Sequence, residues 1–284
     1  MEDGKETMDY KKYIEMALTD PESAREYKNS CIPGKLFKYV SLYNDPDEDD
    51  KRLASLKRGE LYLGSLDEYN DPFEGTFLFI DENKLKHKGW KEGMVSDIYR
   101  SLMDGRRICS LTGTSEQNMP MWAHYANNHK GFCAEYSFAD EQKDYIFPVS
   151  YEGKRQEATS LLANLINDEV RVALMNQGAT ASEKLDQLRS ESARTNALIF
   201  LSIAAKDESW SHEKEYRIID PFNHNSFSAI PSKIYAGKNC SGEHLKQLID
   251  IAKNYIKGGI PVELYKMAFD SNNNSFRLSE ERII

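Results

Sequence analysis

"DESWSHEKEYRII", residues 207–219, ends a long helical stretch and opens a strand, and its reading decides the fold. Side chains alternate along a strand, so Glu213, Glu215 and Arg217 point to one side while Tyr216 and Ile218 face the other, into a core. A solvated Glu-Arg ladder on an edge strand is the plain alternative. It leaves the nearby Trp210 without a purpose. Paired carboxylates beside an aromatic suit chemistry at a sugar or ribosyl centre. One carboxylate holds a ribose hydroxyl and stabilises an oxocarbenium-like transition state, and the second activates the acceptor.

Upstream of this strand lie "KLFKYVSL" (35–42), a short strand over 61–65, "RRICSL" (106–111), "GFCAEYSF" (131–138) and, pairing beside the last, "YIFPVSYE" (145–152). Downstream come "SKIYAG" (232–237), "PVELYKMAF" (261–269) and "SFRLS" (275–279). Helices fall between them. An acid-started helix ends at Gly59, 82–105 reads as helical, Pro120 opens a short helix, and 241–257 is amphipathic. Strands scattered along the chain with helices inserted predict an α+β fold with a discontinuous, mixed or split sheet. One domain is expected over 1–284, with an N-terminal helical segment (1–33), a core (34–284) and a helical insertion at about 155–205, read as helices over about 155–176 and 181–205.

The 284 residues are 40% hydrophobic and 29% charged, which places the chain among globular proteins. A net charge of −9 disfavours nucleic acid and anionic membranes at long range, though a local basic cleft is compatible with it. Cys31, Cys109, Cys133 and Cys240 form no C-x-x-C pair, which removes zinc-ribbon and tight disulfide readings. No apolar run approaches the ~18 residues of a membrane span, and the acidic N-terminus is no signal peptide. A cytoplasmic protein with reduced thiols is expected. Rossmann, P-loop, zincin and α/β-hydrolase motifs are missing.

Two further boxes carry more polar and aromatic groups than their local structure needs. "EYNDPFEG" (68–75) is a turn in which Asn70 and Asp71 satisfy local amides and Phe73 is expected in the core, while Glu68 or Glu74 is free to face a cleft. "MWAHYANNHKGF" (121–132) sets Trp122 and Tyr125 on one helix face. Trp122 reads first as a structural anchor, and His124 reads first as a core or cap histidine. Convergence of residues near 38, 70, 122 and 215 on one cleft is the expectation.

In this order the boxes resemble an uncharacterised bacterial family, the domain of unknown function numbered 2971. Its pattern is met here by Phe37-Lys38-Tyr39, Asn70 to Glu74, Cys109 to Leu111, Met121 to Gly131, and Lys206, Trp210, Glu213, Glu215, Tyr216 and Arg217. More loosely, the layout is similar to ADP-ribosyltransferase-like folds, which hold NAD between split sheets; some bacterial relatives serve in toxin or anti-phage defence systems. That resemblance implies NAD as substrate, Glu215 as catalytic carboxylate and Glu213 assisting the acceptor. Lys38 or Tyr39 would touch the nucleotide and Ser65 and Tyr69 would line it, with Asn70, Trp122, His124 and Arg217 completing the site. The macromolecular acceptor is open. Two rivals stand beside it: a metal-dependent nuclease using Asp71, Glu74, Glu213 and Glu215, and a non-enzymatic sensor or binding module.

Overall fold

The computed structural model describes residues 8–103, 105–164, 166–167, 202–220, 224–272 and 274–284. The alternating apolar runs form a nine-stranded mixed sheet. Read from one edge it runs Ser279–Arg282, Glu263–Ala268, Lys233–Ala236, Phe132–Tyr136, Leu36–Val40, Arg107–Thr112, Glu215–Asp220 and Ile146–Pro148, with Gly64–Ser65 also paired to Arg107–Thr112. Within this sheet the Lys233–Ala236 and Glu263–Ala268 strands run parallel. Helices lie between strands throughout, so the fold is α+β.

The sheet is split. Leu36–Val40 pairs along its whole length with Phe132–Tyr136, and Arg107–Thr112 along its whole length with Glu215–Asp220. The two halves meet through a single register pair, Phe37 with Thr112. Beyond that point the strands part, and Lys38 Nζ reaches across to donate to the Ser110 carbonyl at 2.9 Å. Gly64–Ser65 takes up the far end of Arg107–Thr112. A cleft opens where the halves diverge.

Local sequence explains the elements around it. The Pro46–Arg58 helix starts on the Asp45 cap with three acids in its first turn, and ends at Gly59, whose φ of +71° closes the left-handed C-cap. The short Met119–Tyr125 helix is capped by Asn118. It turns into the next strand through Asn127, Asn128 and His129, all with positive φ, and then Gly131. A Cβ on Gly131 would lie 1.8 Å from the Val40 carbonyl oxygen, so only glycine lets the two chains touch. The N-terminal helices, Tyr10–Thr19 and Pro21–Ser30, cover the sheet's Ile146–Pro148 edge: the Tyr10 hydroxyl donates to the Pro148 carbonyl, and Lys28 Nζ to that of Ile146 at 3.0 Å. That is the outer packing expected of them.

Several expectations need correction. Ile146–Pro148 pairs with Glu215–Asp220 and not with the 131–138 run, whose strand is already flanked on both sides by Leu36–Val40 and Lys233–Ala236. The C-terminal strand is Ser279–Arg282 and not 275–279. The helical reading of 82–105 breaks into Glu82–His87 and Met94–Met103, interrupted by Gly89 and Gly93 at positive φ. The 61–65 strand divides: Glu60–Tyr62 pairs with Ser226–Ser228, and Gly64–Ser65 joins the main sheet. Phe73 is 57% exposed and not in the core. The helices read over about 155–176 and 181–205 fall mostly outside the described residues. Among the described residues, no helix is long and apolar enough to cross a membrane.

Candidate functional site

Five charged side chains cluster at the bottom of the cleft, four lining it and Arg217 beneath them. Glu215 is the first residue of its strand, so strict alternation carries Arg217 to the same side, where its Nε lies 2.8 Å from Glu215 Oε1. Glu213 arrives differently. It ends a 3-10 turn, Glu208–Glu213, and the following Lys214 takes a left-handed φ of +45°. That kink brings Glu213 beside Glu215, so the expected pairing holds although only one of the two is on the strand. Lys206, on Ala205–Asp207, binds both: Nζ is 2.7 Å from Glu213 Oε2 and 3.1 Å from Glu215 Oε2. The Trp210 ring lies over the same ammonium, 4.7 Å from centroid to Nζ.

Arg217 is fully buried and uses its fork on both sides. It holds Glu215 through Nε and Nη2, and Glu74 of the Asn-Asp-Pro box through Nη1 and Nη2, with the Ile203 carbonyl as a further acceptor. Glu215 also donates its backbone N–H to the Tyr151 hydroxyl at 2.7 Å. Glu213 receives the Tyr125 hydroxyl. Glu74, Arg217, Glu215, Lys206, Glu213 and Tyr125 are thus one continuous chain of charge-assisted hydrogen bonds.

Electrostatics separates the members. Burial pushes the Glu215 carboxyl up, but Arg217 and Lys206 outweigh it and hold its pKa at about 2. Burial raises Glu74, against the pull of Arg217. Burial would lower Lys206, yet Glu215 and Glu213 keep it above the ordinary lysine value. The Tyr125 hydroxyl is raised by burial and by Glu213. Both oxygens of Glu215 are taken by N–H groups of Arg217 and Lys206. Glu213 accepts one hydrogen bond on each oxygen, which leaves acceptor lone pairs for a ligand. Three carboxylates face two protein cations in this cluster, and the Lys38 ammonium lines the same cleft.

Above this floor the cleft has a volume of about 870 Å³. Of the residues singled out from sequence, Lys38, Tyr39, Glu68, Tyr69, Asn70, Asp71, Glu74, His124, Trp210, Glu213 and Glu215 line it, and three others do not. Tyr39 is 5% exposed, donates to the Ser115 carbonyl and stacks edge-on against Trp122, so it braces the wall. The Tyr69 hydroxyl is likewise used, on the Ile108 carbonyl at 3.0 Å. His124 is exposed to the cleft and is neither a core nor a cap histidine. Asn70 is exposed at the rim.

Three of those residues stand behind the walls. Trp122 is fully buried against His129 and Tyr39; Arg217 lies beneath the floor; and Ser65 Oγ is turned to Glu68 at 2.9 Å. The four carboxylates of a metal reading all line the cleft, but each is already engaged within the protein. Asp71 caps its own turn on the Phe73 N–H, Glu74 is forked to Arg217, and the space between Glu213 and Glu215 holds the Lys206 ammonium.

Sequence reasoning undervalued Tyr125, Lys206 and Tyr151. Tyr125 and Lys206 sit inside the recognised boxes, so their position was a usable signal. Tyr151 carried none. Residues 121–218 match the family described as "Protein of unknown function (DUF2971)", a span that contains Trp122, Tyr125, Lys206 and the whole Glu213–Arg217 segment. No curated protein and no solved structure matches the chain.

Proposed function

We propose that the cleft binds a ribose-containing nucleotide and that the protein transfers the ribosyl group of NAD to an acceptor. The observation that carries this reading is the pair Glu213 and Glu215 on one buried ammonium at the floor of the cleft. A positive charge developing at ribose C1′ would be stabilised there by groups already oriented. Glu215, held charged by Arg217 and Lys206, sets the field. Glu213, with its free lone pairs, takes the ribose hydroxyl, and Trp210 offers an aromatic face beside it.

In this reading the bond between C1′ and the nicotinamide nitrogen breaks, and both electrons leave with nicotinamide, which departs neutral. The acceptor nucleophile bonds to C1′ and gives up its proton to a cleft base, Glu213 or His124; with water as acceptor the products are nicotinamide, ADP-ribose and a proton. Incubating the chain with NAD and following nicotinamide by chromatography tests this. Wild type should release it and Glu213→Gln, assayed where its denaturation curve shows it folded, should be slower by two orders of magnitude or more. A parallel comparison of growth with and without phage tests the defence setting. A second reading, a ligand-binding module, is favoured by the complete pairing of Glu215. NAD left intact by wild type with water and with a cell extract as acceptor source would decide for it.

A further inference from the structure

Resting on the nucleotide reading of the cleft, we infer that its Pro46–Arg58 helix wall is an anion subsite for the ligand's phosphate groups. Lys51, Arg52, Ser55 and Arg58 all line the cleft, and spacings of three and four residues set Lys51, Ser55 and Arg58 on one helix face. Arg52 is the centre of this wall. Its guanidinium stands over the Tyr43 ring at 5.2 Å from the centroid, and Tyr43 lines the same cleft. Its Nε is buried with no hydrogen-bond partner, and its one ion pair among the described residues is long, 4.0 Å to Glu48. The half-exposed guanidinium, held by an aromatic face and with its terminal N–H groups no closer than 4.0 Å to a carboxylate among the described residues, is an arrangement that takes phosphate oxygens.

The neighbouring cations are weakly committed. Lys51 pairs with Glu48 at 2.8 Å and Arg58 with Glu60 at 2.8 Å, and the side chains of both cations are more than half exposed. Exposed pairs of this kind hold little energy, so a phosphate can replace either carboxylate. Three cations against Glu48 and Glu60 give this wall a formal +1, while the floor presents the carboxylates of Glu213 and Glu215. A nucleotide with its phosphates on the helix and its ribose at Glu213 matches both signs, whereas an uncharged nucleoside matches only the floor.

Calorimetric titration of the full chain with adenosine, ADP and inorganic pyrophosphate, for wild type, Arg52→Gln and Arg52→Lys, tests the assignment. Wild type should bind ADP at least tenfold tighter than adenosine, and pyrophosphate should compete with ADP. Arg52→Gln should lose that tenfold preference at an unchanged thermal midpoint and unchanged adenosine affinity, and Arg52→Lys should keep only part of it. Equal affinity for adenosine and ADP, an undiminished preference in Arg52→Gln, or no binding of any of the three would overturn the subsite. Phosphate preference without NAD cleavage would leave the subsite standing and remove the transfer reading. NAD cleavage without phosphate preference would do the reverse. Competition by pyrophosphate with no gain of ADP over adenosine would mark a site for free phosphate and overturn the nucleotide assignment.

Discussion

Replacing Arg217 by Met removes the side chain that pairs Glu74 of the Asn-Asp-Pro box with Glu215 of the central strand. The side chain has no exposed surface and serves two carboxylates that are each 4% exposed. Breaking a buried ion pair by deleting one partner costs about 3–5 kcal/mol, because the other charge is left without compensation. Two carboxylates are stranded here, while Glu215 retains Lys206, so a cost near the upper end, about 5 kcal/mol, is expected at pH 7. The cost must depend on pH. In the variant, Glu74 loses its cation while Glu215 keeps Lys206, and burial, which already raises the Glu74 carboxyl, then acts on it unopposed by Arg217. A carboxylate raised in this way costs stability above its folded pKa and regains it as pH falls toward the unfolded value. Urea denaturation at pH 7 and pH 5 should therefore show the gap between wild type and Arg217→Met narrowing at the lower pH. Arg217→Lys, which cannot fork, should fall between them. A gap under about 1 kcal/mol at pH 7, the worth of an exposed pair, or one that does not change with pH, would refute the argument that this network is buried and charged.

Glu215 gives wild type an acid limb of opposite sign. Its folded pKa of about 2 lies below the ordinary 4.5, so its stabilisation is complete above about pH 4.5 and is lost as pH falls toward 2. Over that window it amounts to about 3 kcal/mol, and an acid denaturation series in which Glu215→Gln is as acid-sensitive as wild type would contradict it. Trp122→Ala should lower stability by about 3–5 kcal/mol, from the cavity left by a fully buried ring. Trp210→Ala should cost less than half as much and instead weaken nucleotide binding, as the pair of denaturation and titration curves will show. Gly131→Ala should unfold or severely destabilise the protein, since the added Cβ meets the Val40 carbonyl oxygen at 1.8 Å; an unchanged thermal midpoint would mean that the two chains are not in contact there.

The strands and helices nearest the cleft were legible because local chemistry agrees with the fold at each of them. Asp45 before Pro46 and Gly59 after Arg58 bracket a helix at both ends, and the Arg107–Thr112 and Glu215–Asp220 strands carry the apolar residues of a buried pair. What failed was partner choice. Nothing in "YIFPVSYE" distinguishes the 131–138 run from the Glu215–Asp220 strand, since pairing depends on where the chain returns and not on alternation. Phe73 failed for a related reason: in a turn, an aromatic side chain has no period to declare its direction.

In the site, alternation placed Glu215 and Arg217 correctly, but it reached Glu213 for the wrong reason. The Lys214 kink that turns Glu213 inward has no signature in a lysine, which enters the left-handed region only where its surroundings compel it. The same limit explains why the partners were harder to see than the carboxylates. Glu74 meets Arg217, and Glu213 meets Tyr125, across 143 and 88 residues of sequence. A floor assembled from segments so distant is specified by mutual pairing: each charge is tolerable in the interior only because the others are there. This is why the carboxylates of two separate boxes could be recognised as excess to local need, and Arg217 as their neighbour on the strand, while the links from Arg217 to Glu74 and from Lys206 to both Glu213 and Glu215 became visible only in the folded chain.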